Sequence, residues 1–112
     1  MGCSTHDSAD HPALKPLRVP ILKESVFEEA RNLAAELPGW RIVRADEREL
    51  VIVCERAGGV FAPVSTVTIR VEGPDGIPST TVHCASESRG GLFARDRRNV
   101  LEFMTPFHRR VC

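Results

Sequence analysis

Apolar residues recur at helical spacing in a stretch that ends just before Pro38. These positions share one helical face and are Val26, Phe27, Ala30, Leu33, Ala34 and Leu37. Ser25 and Glu28 have the spacing of a capping box, in which each side chain satisfies a backbone N–H at a helix start. Pro38 and Gly39 end the pattern, because a residue that precedes proline disfavours helix. The pattern therefore predicts an amphipathic helix that begins at Ser25.

A second amphipathic helix is predicted near the end of the chain, from Asp96 as its N-cap to about Arg110. Its apolar positions are Val100, Leu101, Phe103, Met104 and Phe107. Pro106 lies inside this pattern, where a proline costs about 3 kcal/mol because it removes a hydrogen bond and crowds the preceding turn. We therefore expect a kink or a break at Pro106.

Four stretches between the two predicted helices have the character of strands, namely residues 40–44, 49–56, 64–72 and 80–88. The connections between them are short, and residues 73–76 read Gly-Pro-Asp-Gly, which is strong turn chemistry. Short connections between consecutive strands indicate antiparallel pairing. The predicted fold class is α+β, a four-stranded antiparallel meander with both helices on one face, in the order α-β-β-β-β-α.

Alternation along the strands predicts which residues face away from the helices. In the third strand, for example, Val67 and Ile69 alternate with Thr68, so that one face is buried and the other is wetter. The open face, meaning the sheet face that the helices leave uncovered, is predicted to carry Val51, Val53, Thr68, Arg70, Thr81 and His83. The apolar Val51 and Val53 need cover there, which the N-terminal peptide, a partner subunit or a ligand could each provide.

The domain organisation follows from composition and periodicity. Residues 1–16 are mostly polar and aperiodic, and they are predicted to be a flexible N-terminal segment. Residues 17–112 are predicted to form a single α+β domain, in which residues 17–22 make at most a short edge segment because of Pro20. A chain of 112 residues with 42% hydrophobic and 27% charged residues fits one soluble globular domain.

Charge and aromatic content bear on the class of partner. The formal net charge is zero, which removes the usual argument for nucleic acid or for a membrane surface. Tyrosine is absent and Trp40 is the sole tryptophan, so base stacking has little support. No apolar run reaches the roughly 18 residues that a membrane-spanning helix needs. We expect no nucleic acid partner and no transmembrane segment.

The four cysteines at positions 3, 54, 84 and 112 have no Cys-x-x-Cys spacing, which argues against zinc ribbons and redox motifs. Cys54 and Cys84 lie in predicted strands that are two strand spacings, about 9.5 Å, apart. A disulfide needs Cα atoms within about 7 Å, so none is expected between them. This usage favours a reducing compartment and a cytoplasmic location. The alternative is an exported or lipid-anchored protein modified at Cys3.

Arginines and paired glycines mark the segment that joins the last strand to the last helix. The candidate anion-binding residues in this loop are Arg89, Gly90, Gly91, Arg95, Arg97 and Arg98. A glycine turn that leads into a helix start presents free backbone N–H groups, and arginine adds a planar fork of donors suited to phosphate or carboxylate. Against this, Asp96 would occupy the same helix start as its cap.

An enzyme site needs a nucleophile with its base, a pair of acids, or a set of metal ligands, and the sequence groups none of these. It also contains no cofactor motif. His83 and Cys84 are consecutive in a strand, so their side chains point to opposite faces. We therefore predict a non-enzymatic binding or interaction module that uses the open face, with a second copy or another protein as its partner. The alternative is a small-anion binding protein or enzyme that uses the arginine-rich loop.

The order helix, four strands, helix resembles the domain-of-unknown-function family 1499, which occurs in bacteria and plastids. The resemblance covers residues 16–111. It rests on Leu-Pro-Gly-Trp at 37–40, Phe-Ala-Pro-Val at 61–64 and Ser-Glu-Ser-Arg at 86–89. Family members follow the last motif with a Gly, an Asp and an Asn, for which Gly91, Asp96 and Asn99 are the counterparts here, the last two at shifted spacing. The family has no established activity, so the resemblance implies a fold; many members are exported or lipid-anchored.

Overall fold

The computed structural model describes residues 2–57, 64–88 and 93–111, and of Phe93 only the backbone. The chain forms strand β1 (Cys3–Ser4), a short 3-10 helix (Pro12–Leu14), strand β2 (Leu17–Val19), helix α1 (Lys23–Glu36), strands β3 (Trp40–Asp46), β4 (Val51–Arg56), β5 (Ser65–Glu72) and β6 (Thr80–Ser88), and helix α2 (Phe93–Val111). In the described residues, no helix is both long enough and apolar enough to cross a membrane.

The strands form a single antiparallel sheet in the order β1-β6-β5-β4-β3, with β2 also paired to β6. The predicted class, α+β with an antiparallel meander, is confirmed, and the four predicted strands are β3, β4, β5 and β6. The predicted count of four strands is wrong, because the described residues form a sheet of six. The two extra strands lie one after the other along the outer edge of β6, β2 opposite residues 80–82 and β1 opposite residues 85–86. There they pair with backbone groups that would otherwise be left without partners.

The N-terminal segment packs on this edge. Cys3 pairs with Ser86, and the Thr5 backbone N–H donates to the Cys84 carbonyl at 2.9 Å. Three apolar residues of this segment, Ala9, Ala13 and Leu14, are buried in the common core. The sequence predicts a flexible segment here because residues 1–16 show no periodicity, and two-residue pairing leaves no periodicity to detect. Its flexibility in solution stays a prediction.

Both helices lie on one face of the sheet, as predicted. Each contacts β5 and β6, and they also contact each other. Every second residue of the central strands points into this layer and is buried, for example Ile52, Ile69 and Val82. Phe103 of α2 is fully buried and stacks on Phe107, with ring centroids 5.1 Å apart.

Helix α1 begins at Lys23, two residues before the predicted start, and its N-cap Leu22 provides no side-chain hydrogen bond. The capping box predicted at Ser25 and Glu28 is therefore wrong. Glu28 instead forms an ion pair with Arg31, three residues further along the helix. Such pairs between residues three or four apart stabilise a helix. The predicted end is correct, since Leu37 is the C-cap and Gly39 follows with φ +79°.

Helix α2 begins at Phe93, three residues before the predicted start, and continues through Pro106 to Val111. The break predicted at Pro106 is therefore absent. The predicted role of Asp96 as N-cap is also wrong. Asp96 lies in the first turn and is fully buried, where it accepts hydrogen bonds from β6.

Candidate functional site: the open face of the sheet

The register of the strands arranges the open face in three rungs, each a row of residues that face one another across β3, β4, β5 and β6. The first rung is Arg41, Glu55, Thr66 and Glu87; the middle rung is Arg44, Val53, Thr68 and Ala85; the third rung is Asp46, Val51, Arg70 and His83. A β-bulge lies at Val43, between Ile42 and Arg44. Because the bulge adds one residue to β3, the outward-facing positions change from odd-numbered before it (Arg41) to even-numbered after it (Arg44 and Asp46).

All six residues predicted for the open face lie on it. Val51, Arg70 and His83 are neighbours in the third rung, and Val53 and Thr68 are neighbours in the middle rung. Thr81 pairs with Glu72 one step further along β6. Val51 and Val53 are partly exposed, and the N-terminal segment runs beside β6 instead of over them. The sequence left three candidates that could shield Val51 and Val53. The N-terminal segment is ruled out by its position, which leaves a partner subunit or a ligand.

Two adjoining depressions, of about 380 Å³ and about 230 Å³, lie on the open face and share Ser4, Thr68 and Ala85. They arise because the middle rung carries short side chains there. Longer side chains stand on both sides, with Glu87 of the first rung lining one depression and Arg70 of the third lining the other. The result is a shallow groove across β5, β6 and β1.

Thr81 is separate from this groove. It lines a different depression of about 410 Å³ together with Arg18 and Pro78, at the end of the sheet where β2 pairs with β6. The predicted open-face residues therefore form one contiguous group of five and one outlier.

Most charged residues of the face are paired within the chain. The Arg70 Nε donates to Glu72 Oε1 at 2.7 Å, and the same carboxylate lies 3.5 Å from the His83 Nε2. Arg41 pairs with Glu55, and the Arg44 Nη2 donates to Asp46 Oδ2 at 3.3 Å. These pairs are in contact with solvent, so water screens them and they can rearrange around a ligand at low cost.

The arginine-rich candidate site is described only in part. Arg89, Gly90 and Gly91 lie outside the described residues. Arg95, Arg97 and Arg98 lie in the first two turns of α2, and successive helical residues turn by about 100°. Arg97 therefore points away from the side that Arg95 and Arg98 share, and the helix does not bring the three together.

Arg95 differs from its neighbours in its surroundings. Both of its terminal guanidinium nitrogens are buried, and neither has a hydrogen-bond partner among the described residues. Arg98, by contrast, is exposed. A buried charged donor without a partner is costly, so Arg95 is the member of the predicted anion site that the structure singles out.

Beside Arg95, a buried polar cluster joins α2 to β6. The Ser86 Oγ and the Ser88 Oγ donate to Asp96 Oδ1 at 2.8 Å and 2.7 Å, and the Ser88 backbone N–H donates to Oδ2 at 3.2 Å. Asn99 Nδ2 in turn donates to the Ser86 Oγ at 3.1 Å. With its oxygens occupied in this way, the Asp96 carboxylate fixes the start of α2 to the last strand.

The three described cysteines are free and buried. Burial raises the pKa of the Cys54 thiol to about 11. Burial, with Cys54 and Cys3 nearby, raises the pKa of the Cys84 thiol further. His83 lies on the open face and Cys84 on the opposite one, as predicted. In the described part of the chain, no group of three His, Cys, Asp or Glu side chains could hold a metal ion.

Several residues of the open face were not among the six predicted candidates. Thr66 and Glu87 line the groove, and strand parity alone would have found both. Ser4 could not be found this way, since β1 is too short to leave a pattern. Arg44 could not be assigned either, because the bulge at Val43 reverses the parity of β3 partway along the strand.

No protein-family model matches the chain, and no curated protein matches it either. The resemblance to the domain-of-unknown-function family 1499 therefore stays a prediction.

Solved structures, however, resemble this chain in fold. The di-domain ARO/CYC BexL from the BE-7585A biosynthetic pathway superposes with a TM-score of 0.59 at 14% sequence identity over 97% of this chain. The chain spans about half of BexL, 46% of its length. Ara h 8.0201 superposes with a TM-score of 0.55 at 12% identity, over 99% of this chain and 94% of that protein. At such low identity the likeness concerns architecture alone: this chain shares with both structures the helix-grip arrangement, an antiparallel sheet packed against a long helix.

Proposed function

We propose that this chain is a non-enzymatic binding module that recognises its partner through the open face of the sheet. The observation that carries the proposal is the uncharged strip at the centre of that face, made of Val51, Val53, Thr68 and Ala85. Neither helix covers this strip, because both pack on the other side.

The pattern around the strip supports this proposal. Charged residues stand at both ends of the rungs, with Arg41, Arg44 and Asp46 on the β3 side and Glu87 on the β6 side. Interfaces between proteins commonly combine a centre depleted of charge with a polar rim. The groove next to the strip gives the face a concave surface, which a flat, solvated sheet would lack.

Amide NMR mapping tests the proposal. The ¹⁵N-labelled protein is titrated with a panel of short extended peptides and small molecules, and the shifted amides are located. The proposal expects binders to shift the amides of Val53, Thr68 and Ala85. Val53→Lys should reduce the affinity of those binders at least tenfold, because it places a charge at the centre of the strip.

Ile77→Lys is the matched control. Ile77 is 54% exposed in the turn between β5 and β6, away from the strip, so the same change there should leave binding intact. The proposal fails if binders shift amides on α1, on α2 or in the turns but not on the strip, or if Val53→Lys and Ile77→Lys behave alike.

A second candidate function is favoured by Arg95. A small anion such as phosphate or a carboxylate, bound at the start of α2, would supply the buried guanidinium with the acceptor that the described residues do not provide. Asp96 opposes this candidate, since its buried carboxylate already occupies the first turn of the helix.

Thermal unfolding in the presence of inorganic phosphate, acetate or citrate tests this candidate. A specific site raises the unfolding temperature as the concentration of one of these anions rises. Arg95→Ala should remove the rise, whereas Arg98→Ala, at an exposed position on the same helix, should keep it. Equal stabilisation of the two variants, or none in the native chain, excludes an anion site at Arg95.

A further inference from the structure

The charges around the open face make this face complementary to itself. A two-fold axis that runs parallel to the strands, between β4 and β5, lays a second copy on the face and reverses the order of each rung. Arg41, which begins the first rung, then lies opposite Glu87 of the second copy. Asp46, which begins the third rung, lies opposite His83 of the second copy. No rung sets like charges against each other in this arrangement.

The middle rung also matches under this axis, whereas in the third rung Val51 lies opposite Arg70 of the second copy. Val53 lies opposite Thr68 of the second copy, so a branched apolar side chain meets a methyl group and a hydroxyl. Arg44 lies opposite Ala85, whose small side chain borders the groove. The long arginine side chain therefore has space to lie down. We propose that the partner of the open face is a second copy of this chain, an inference that rests on the proposed function.

An axis that runs across the strands, along the middle rung, is excluded by its charges. It would place Arg44 directly against Arg44 of the second copy, at a position where the two guanidinium groups could not separate without opening the interface. Like charges in contact at an interface cost several kcal/mol. The axis parallel to the strands avoids this conflict.

The size of the face predicts a weak dimer. Four strands at about 4.8 Å spacing give a width of about 19 Å, and the three rungs extend about 17 Å along the strands. Such a footprint falls below the roughly 800 Å² per partner of a standard stable interface. The dissociation constant should accordingly be on the order of 10⁻⁴ M, and salt should weaken the dimer because its specificity is electrostatic.

Sedimentation velocity over a range of concentrations, at low and high salt, tests the inference on the whole chain. The native protein should shift from monomer towards dimer as its concentration rises, and less so at high salt. Arg41→Glu or Glu87→Arg alone should weaken the dimer about tenfold, since each sets like charges at both ends of the symmetric interface. The double variant R41E/E87R should restore the dimer, because opposite charges again face each other at positions 41 and 87, with their signs exchanged.

Arg48→Glu is the matched control, an equal charge reversal at the exposed tip of the β3–β4 hairpin; it should leave the dimer unchanged. Circular dichroism establishes that each variant is folded. A native protein that stays monomeric at about 1 mM and low salt, or single reversals without effect, or a double reversal that fails to restore the dimer, would each overturn the inference. A monomer whose open-face amides still shift with another ligand would leave the proposed function standing.

Discussion

Arg56 of β4 forms a two-pronged ion pair with Glu102 of α2, with its Nε 2.7 Å from Oε1 and its Nη2 3.4 Å from Oε2. The Trp40 indole N–H donates to the same Oε1. Both charged side chains are about 30% exposed, so the carboxylate is partly screened from water. One residue of α2 therefore holds the ends of β3 and β4 under the helix, which helps to keep the other side of the sheet free.

Glu102→Ala should lower the free energy of unfolding by about 1 kcal/mol, because it leaves the N–H of the buried Trp40 and the partly exposed Arg56 guanidinium without their acceptor. Urea unfolding measures the change, and the fluorescence of Trp40 should also shift as the indole loses its partner. Glu49→Ala, at an exposed position in the hairpin turn, is the control. Equal stability of the native chain and the Glu102 variant would show that this ion pair does not hold the layers together.

Asp96→Ala should be the more damaging change, with a loss of about 3 kcal/mol, because two serine hydroxyls and the Ser88 N–H would be left buried without an acceptor. Ser65→Ala provides the matched comparison. Among the described residues, the Ser65 hydroxyl bonds only Ser88, the outer serine of the cluster, at 2.7 Å, and its loss should cost about 1 kcal/mol. Urea unfolding at neutral pH gives both values, and a smaller loss for Asp96→Ala than for Ser65→Ala would contradict this account of the cluster.

The sequence predicted the main architecture because strong, long patterns carry it. Both helices, the four central strands, their antiparallel order and the side on which Val51, Val53 and Thr68 lie all follow from periodicity and turn chemistry. These signals act within a single element, and tertiary contacts in this chain reinforce them instead of overriding them.

The errors concern residues whose role depends on distant partners. Asp96 lies where a helix cap is expected. Its carboxylate instead accepts hydrogen bonds from two serines of β6, which precede it by eight and ten residues. Cys3 and Ser4 form a strand only because the edge of β6 offers a pairing site. Neither relationship leaves a trace in local composition, and the same holds for the carboxylate of Glu102.

Acid should weaken the fold through Asp46. Backbone N–H groups of Glu49 and then Arg48, followed by Arg44, hold the pKa of the Asp46 carboxyl below its ordinary value of 3.8. The folded state therefore favours the charged carboxylate. Its stabilising contribution is present above that ordinary value and is lost as pH falls through the lower, folded pKa.

Urea midpoints between about pH 6 and pH 2 measure this dependence. Asp46→Asn should show a smaller loss on acidification than the native chain, and Asp10→Asn, at an exposed position in the N-terminal segment, should follow the native curve. If the Asp46 variant lost as much stability on acidification as the native chain, Asp46 would not contribute to the acid sensitivity of the fold.

The N-terminal segment should be protected from hydrogen exchange where it pairs with β6. The Thr5 N–H donates to the Cys84 carbonyl at 2.9 Å, and the Cys84 N–H donates to the Thr5 Oγ1 at 3.1 Å. We expect the Thr5 amide to exchange at least about tenfold more slowly than in a free peptide of the same sequence. Exchange at the free-peptide rate would instead establish the flexible segment that the sequence predicts for residues 1–16.

Thiol reactivity at position 68 tests most directly whether the open face is available for binding. In a Cys3→Ser, Cys112→Ser background, which removes the cysteine that lines the groove, Thr68→Cys places a thiol at the centre of the face, while the native Cys54 and Cys84 report on the buried side. We predict that the thiol at position 68 reacts with a bulky disulfide reagent within about tenfold of the rate of free cysteine, while the thiols of Cys54 and Cys84 react only after denaturation. A folded Thr68→Cys variant whose new thiol is as unreactive as Cys84 would contradict it.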